Sequence, residues 1–362
     1  MPLKRVLVAR HATRQDSIDP SWQYSSPTPY DPPLSRAGLQ EALLLGRSIA
    51  SEIAATADSY AGHRTDLTRN GLLRDPSPCS RSSDTSLASS YGTDLSFSPS
   101  TDSVLLPSLT GSTKSTFEKR LTVCIHTSPF LRCAMTANCI TQQLAALATQ
   151  STSKDLVSGL TIDLKIRMDT FLGEWLTPDY FSSISPPAND GHASLVASST
   201  AWLLNNGAAK YLDYTWQADR MGHSGEYGER WRSMYARFSS GLSNLVCFYS
   251  APSQPDTVII LVTHGAGHNA LVGALSGNPV LLDFGLASLS VAVPRRRDDD
   301  TDYHSAYGYG GEKRDRSGYV VQDYSDIVNR SDQELAVKWD LTRIADVSHL
   351  LPVSAISEYD IN

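Results

Sequence analysis

The feature that most constrains this chain is an alternation of short apolar, β-branched runs with longer stretches at helical spacing. Thr257 to Thr263 (T-V-I-I-L-V-T) is the strongest strand signal. An unbroken apolar run of that length suits a strand buried on both faces. Leu3 to Ala9, Leu121 to His126, Thr161 to Met168 and Leu286 to Val293 read the same way. Between them, Leu39, Ala42, Leu43, Gly46 and Ile49 lie on one helical face, with Ser35 as the expected N-cap. Further helices are expected from Pro129 to about Leu147, from Glu226 to Tyr249, and from Gly267 to Leu275. Strands alternating with helices predict an α/β fold of three αβα layers around a mainly parallel sheet.

The alternation is interrupted in three places, and 1–362 is read as one domain carrying these insertions. Residues 76–116 contain 14 serines in 41 positions and little charge. Such a segment buries too little apolar surface to offset its ordering entropy, so it is expected to be disordered. Residues 176–220 are rich in loop-forming residues and aromatics, and 294–317 in charge and glycine. Residues 15–33 hold five prolines and read as an ordered loop. The C-terminal region, 318–362, has a strand-like Tyr319-Val320-Val321 and a weakly helical tail.

The net charge of −7 argues against a nucleic-acid partner, which would require a basic face. The N-terminal M-P-L-K-R-V-L-V-A-R-H does not read as a signal peptide. Asn278, Pro279 and Asp283 interrupt the most apolar stretch, Asn269 to Pro294, so no membrane span is expected. There are five cysteines and no C-x-x-C pair, which suits free thiols in a reducing compartment. A cytoplasmic or nuclear protein is therefore expected.

Three strand ends carry similar cargo. The first ends in Arg10-His11. The second ends in His126-Thr127-Ser128-Pro129, with Arg132 one turn into the next helix, and another ends in His264-Gly265. Ligand sites in parallel sheets gather beyond the carboxyl ends of strands. Arginine forks match phosphate oxygens, and helix N-termini add backbone N–H groups. A neutral imidazole among such cations is a good phosphoryl acceptor.

Together these segments resemble the histidine phosphatase superfamily, also called phosphoglycerate mutase-like. The family's R-H-G reads Arg10-His11-Ala12 here, and its S-P-x-x-R-x-x-x-T-A spacing appears from Ser128 to Ala137. A T-H-G ends a late strand at Thr263-His264-Gly265. The stretch 31–40 (D-P-P-L-S-R-A-G-L-Q) resembles the family's first helix start. Gly173-Glu174-Trp175 resembles its acid-bearing loop, and Gly225-Glu226 the start of the helix before the last strand. The pattern is most similar to a eukaryotic branch. That branch holds the phosphatase domain of ubiquitin-associated, SH3-containing proteins and the tau subunit of an RNA polymerase III transcription factor.

The resemblance implies a hydrolase using a phosphohistidine on His11. Arg10, Arg14, Arg132 and His264 would hold the phosphate. Glu174 would act as general acid and then base, with burial raising its pKa. No metal or cofactor is implied. The substrate would be a phosphorylated small molecule or a phosphoprotein, with protein partners on the insertions.

Ala12 departs from the family's glycine, which would cost something if the backbone there needs a positive φ. A non-catalytic scaffold on the same fold is thus one alternative, and a phosphomutase another. The mutase is disfavoured by the few basic residues, Lys210 and Arg220, between Glu174 and Glu226. His264 and His268 have metal-ligand spacing but lack the H-E-x-x-H glutamate. Cys124 to Arg132 is C-x7-R, not the C-x5-R of cysteine phosphatases, and no G-x-S-x-G occurs.

Overall fold

A computed structural model describes residues 1–69, 119–150, 160–179, 182, 184, 187, 191–295 and 337–351. The expected insertions at 76–116 and beyond Arg295, and Tyr319-Val320-Val321, lie outside the described residues. The chain divides into two units, Met1–Ser59 with Glu118–Asn362, and Tyr60–Phe117. All the strands of the sheet belong to the first unit.

The elements run β1 (Leu3–Arg10), α1 (Trp22–Ser25), α2 (Arg36–Arg69), β2 (Lys119–Thr127), α3 (Leu131–Gln150) and β3 (Leu160–Met168). They continue with α4 (Gly191–Asn205), α5 (Trp231–Ser250), β4 (Thr257–Thr263), α6 (Gly265–Ser276), β5 (Leu289–Pro294) and β6 (Trp339–Asp346). The six strands lie in the order β3-β2-β4-β1-β5-β6. The first four are mutually parallel, and β5 pairs antiparallel with both β1 and β6. The carboxyl ends of β1, β2, β3 and β4 therefore share one edge.

Side-chain alternation along the central strands builds two cores. Leu7 and Ala9 of β1, with Val258, Ile260 and Val262 of β4, face one helical layer. That layer is α2 (Leu45, Ile49, Ile53) and α3 (Ala137, Ile140, Leu144). Val6, Val8, Ile259 and Leu261 face α5 (Phe238, Leu242, Leu245) and α6 (Ala270, Leu271, Leu275). Burying strands on both faces removes any need for polar alternation, which is why they read as continuous apolar runs. The three-layer, mainly parallel fold expected from the sequence is present.

Ser35 caps α2, its Oγ accepting the Gly38 N–H at 3.0 Å. Gly38 sits so close to the Thr13 carbonyl that a Cβ there would collide with it. The start of α2 is thereby pressed onto the loop that follows β1.

Three expectations need correction. Residues 176–220 contain a 15-residue helix, α4. Its buried Leu195, Ser199 and Leu203 have helical spacing, but serines and alanines weaken the apolar signal. The helix expected from Glu226 begins at Trp231, and Glu226 is an exposed loop residue. The weakly helical tail is strand β6 over Trp339–Asp346. Arg343 and Asp346, ion-paired at i,i+3, carry a helix-like spacing on what is an edge strand.

Candidate active site

The sheet edge brings together five of the expected residues, Arg10, His11, Arg132, Glu174 and His264. The His11 N–H donates to the Thr263 carbonyl at 2.9 Å, continuing the β1–β4 pairing past the end of β1. The His11 carbonyl accepts the Ala287 N–H at 3.1 Å, just ahead of β5. The His11 N–H is thus anchored to β4 and its carbonyl to the turn that leads into β5. The His11 and His264 rings meet edge to face, their centroids 5.3 Å apart. Glu174 Oε2 lies 3.1 Å from His264 Nδ1 and 3.1 Å from Arg132 Nη2. The Phe130 ring backs both His264 and the Arg132 guanidinium.

Hydrogen bonding assigns the tautomers. His11 Nδ1 is 2.9 Å from the Ala12 carbonyl, which can only accept. Nδ1 therefore carries the proton, and Nε2 keeps the lone pair. His264 Nδ1 faces the Glu174 carboxylate and donates to it, while Nε2, 2.9 Å from Ser128 Oγ, accepts that hydroxyl. Burial, then Arg132 and His264, hold the His11 pKa well below its ordinary value. Burial pushes His264 down to about 4 against the pull of Glu174. Both rings are neutral at pH 7.

Arg10 is half-buried at the same edge. Its Nη1 donates to the Phe284 carbonyl, and its Nε–H is buried with no hydrogen-bond partner. Burial lowers its pKa, with Glu174 and Asp283 opposing and Arg14 and Arg132 adding to the effect. A buried cation with an unmet donor favours an arriving anion. Arg14 is held by Asp16 at 2.9 and 3.0 Å, and its charge still reaches Arg10 and His264.

Glu174 departs from expectation. Burial does act to raise its pKa, but His264 and Arg132 outweigh it and hold the carboxyl well below the usual range. The resting group is a carboxylate.

Ala12 is also simpler than expected. The only non-glycine residues of positive φ among those described are Ala287 and Ala345. Ala12 needs no left-handed backbone, and its methyl group is buried in the core.

Several supporting residues carried no local signal in the sequence. Arg237 of α5 donates to the Phe171 and Gly173 carbonyls at 2.6 and 3.1 Å, bracing the Glu174 loop from behind. Glu229 pairs with Arg237 at 2.6 Å. Thr263 Oγ1 donates to the Leu172 carbonyl, and Trp175 Nε1 to that of Glu229. Glu41 accepts both the N–H and the hydroxyl of Thr13, pinning the loop after His11. Asp31 lies 3.6 Å from Arg132 Nη1.

His126 points elsewhere, between Asp169 at 2.5 Å and Tyr249 at 2.7 Å. His268 is not beside His264 in function: its Nε2 bonds Ser290 Oγ, and its ring stacks on Phe284. Cys124, Cys133 and Cys139 are buried, and burial pushes the Cys133 thiol far up, away from a reactive thiolate.

Among the described residues, the ligand atoms of His11, Glu174 and His264 lie within 4.8 Å of one another, close enough for a metal ion. Arg132, touching the same carboxylate, and Arg10 make the surroundings cationic. That field favours an oxyanion over a cation.

No family model matches the chain, and a search of curated proteins finds no match. Among solved structures the chain is similar to the ecdysone phosphate phosphatase of Bombix mori in complex with tungstate. The identity is 14%, over 90% of this chain and 100% of that one, with a TM-score of 0.43. It is similar to a mycobacterial glucosyl-3-phosphoglycerate phosphatase at 17% identity, over 94% and 98%, with a TM-score of 0.35. It is also similar to a phosphoglycerate mutase of Bacillus anthracis at 12% identity, over 96% and 95%, with a TM-score of 0.36. Among the described residues, no helix is long and apolar enough to cross a membrane.

Proposed function

We propose that this protein is a metal-independent histidine phosphatase that hydrolyses a phosphomonoester through a phosphohistidine on His11. The observation that carries the reading is the convergence of a neutral His11, with Nε2 free of its own proton, on His264, Arg132 and Glu174. Arg10 adds an unmet donor to the same edge.

In the first step His11 Nε2 attacks phosphorus and the bond to the leaving oxygen breaks. Arg10, Arg14 and Arg132 stabilise the charge on the three remaining oxygens, and the His264 Nδ1–H joins them once substrate displaces it from Glu174. The substrate draws Arg132 away from Glu174 and adds negative charge beside it. Both effects raise the proton affinity of the carboxyl, which takes up one proton from solvent as substrate binds and then gives it to the leaving oxygen. In the second step Glu174 takes a proton from water, and the oxygen attacks the phosphohistidine. Orthophosphate leaves and His11 is restored.

Hydrolysis is favoured over a mutase. Lys210 lies over the Tyr211 ring, and Arg220 over Trp216 and Phe248, so these cations are committed to aromatic faces. A scaffold is disfavoured because the Ala12 backbone shows no strain. We assign the chain to the eukaryotic branch on its Glu174-Trp175 loop and Arg10/Arg14 pair. The substrate is a phosphorylated small molecule or phosphoprotein, met in the cytoplasm or nucleus.

The test is turnover of p-nitrophenyl phosphate with and without a chelator, together with rapid quench into alkaline detergent to trap an acid-labile, alkali-stable phosphoenzyme. Wild type turns over equally in both conditions and traps phosphate, and His11→Ala does neither. A wild type without turnover, or turnover surviving His11→Ala, overturns the reading.

A further inference from the structure

Asp31 lies in the loop before α2 with its side chain almost wholly buried. Its Oδ1 accepts the Leu131 N–H at 2.8 Å, in the first turn of α3, and stands 3.6 Å from Arg132 Nη1. The Tyr30 carbonyl shares that Nη1 at 3.5 Å. Arg132 thus has a carboxylate on either side, Asp31 at Nη1 and Glu174 at Nη2.

Capping does not explain a carboxylate here. An asparagine or serine would cap α3 as well, without burying a charge. Burial pushes the Asp31 pKa up to about 6, with Arg132 and the Leu131 N–H opposing. What the charge adds is a negative field at the arginine on which the phosphate would rest. Three arginines without such a counterweight would hold orthophosphate tightly and release it slowly.

We infer that Asp31 is a positioning residue that acts through Arg132 to weaken the site's hold on a tetrahedral oxyanion, so that product leaves after hydrolysis. The inference rests on the phosphatase reading of the site.

The experiment uses the full chain and sulfate, a tetrahedral dianion whose charge is constant between pH 5 and 7.5. Calorimetric titration compares wild type with Asp31→Asn and Asp31→Ser, both able to cap α3. At pH 7.5 both variants bind sulfate at least tenfold more tightly than wild type, the lower bound for a carboxylate about 6 Å from a dianion even at a water-like dielectric of ~80. At pH 5 wild-type Asp31 is itself protonated, so the three proteins agree within about twofold. Variants that bind at wild-type strength or more weakly at pH 7.5 overturn the inference, because Asp31 then only caps or anchors. A gain of the same size at pH 5 overturns it as well, and so does no sulfate binding by any of the three. Failure of the phosphatase reading shows separately, as absent p-nitrophenyl phosphate turnover or turnover that survives His11→Ala.

Discussion

Arg132 Nη2 and Glu174 Oε2 stand 3.1 Å apart, so the cation expected to bind phosphate holds the carboxyl expected to donate a proton. On the phosphatase reading, Glu174 can serve as an acid only once substrate competes for that partner. Glu174→Gln should lower kcat/KM, which reports the phosphorylation step alone, by about 10²–10⁴ on alkyl phosphomonoesters. The loss on p-nitrophenyl phosphate should be much smaller, because p-nitrophenolate leaves without a proton. Equal losses on the two substrates would show that Glu174 has no acid role.

Stability should fall with acid. Burial pushes His264 down to about 4 and His268 down to about 3, and holds His11 well below its ordinary value. Unfolded histidines take up protons near pH 6.5. Between there and the folded values the unfolded chain binds more protons, so stability is lost as pH falls. Asp31, raised to about 6, works in the opposite sense, against these three and against His192 and His349, which burial also lowers. Urea unfolding at pH 5 should give a free energy roughly 4 kcal/mol below that at pH 7. A flat profile would contradict the buried neutral histidines.

Ala12→Gly should not improve the enzyme. The position has no positive φ, and its methyl group is buried. Turnover is expected to stay within about twofold while stability drops by about 1 kcal/mol, from chain entropy and lost packing. A large gain in kcat, measured beside thermal unfolding, would show that the methyl group obstructs substrate.

Arg237 and Glu229 form a pair whose side chains are 8% and 6% exposed, tied to the Glu174 loop through the Phe171 and Gly173 carbonyls. Arg237→Met should destabilise by about 3–5 kcal/mol, since it strands a buried carboxylate. Adding Glu229→Gln should recover at least ~1 kcal/mol of this. In both variants kcat falls more than KM rises, because the loop carries Glu174. Additive destabilisation in the double variant would refute the coupling.

Much of this site is legible in the sequence because its parts are local to strand ends. Arg10 and His11 close β1, His264 follows β4, and Arg132 sits one turn beyond β2, so strand periodicity alone brings them to one edge. The charge state of Glu174 was not legible, since it depends on Arg132 and His264, far away along the chain. Asp31, Arg237 and Glu229 act through single long-range contacts that leave no periodic mark. Helix α4 was hidden by its serines, and β6 by being a polar edge strand with little to bury.

The anchoring of His11 between Thr263 and Ala287 has a consequence for how such an enzyme changes over time. The imidazole proposed to react hangs from backbone held by β4 on one side and by the turn before β5 on the other. The connections around the edge can therefore be lengthened, shortened or recomposed while the chemistry stays in register. On the phosphatase reading, substrate choice and bond cleavage can then change separately.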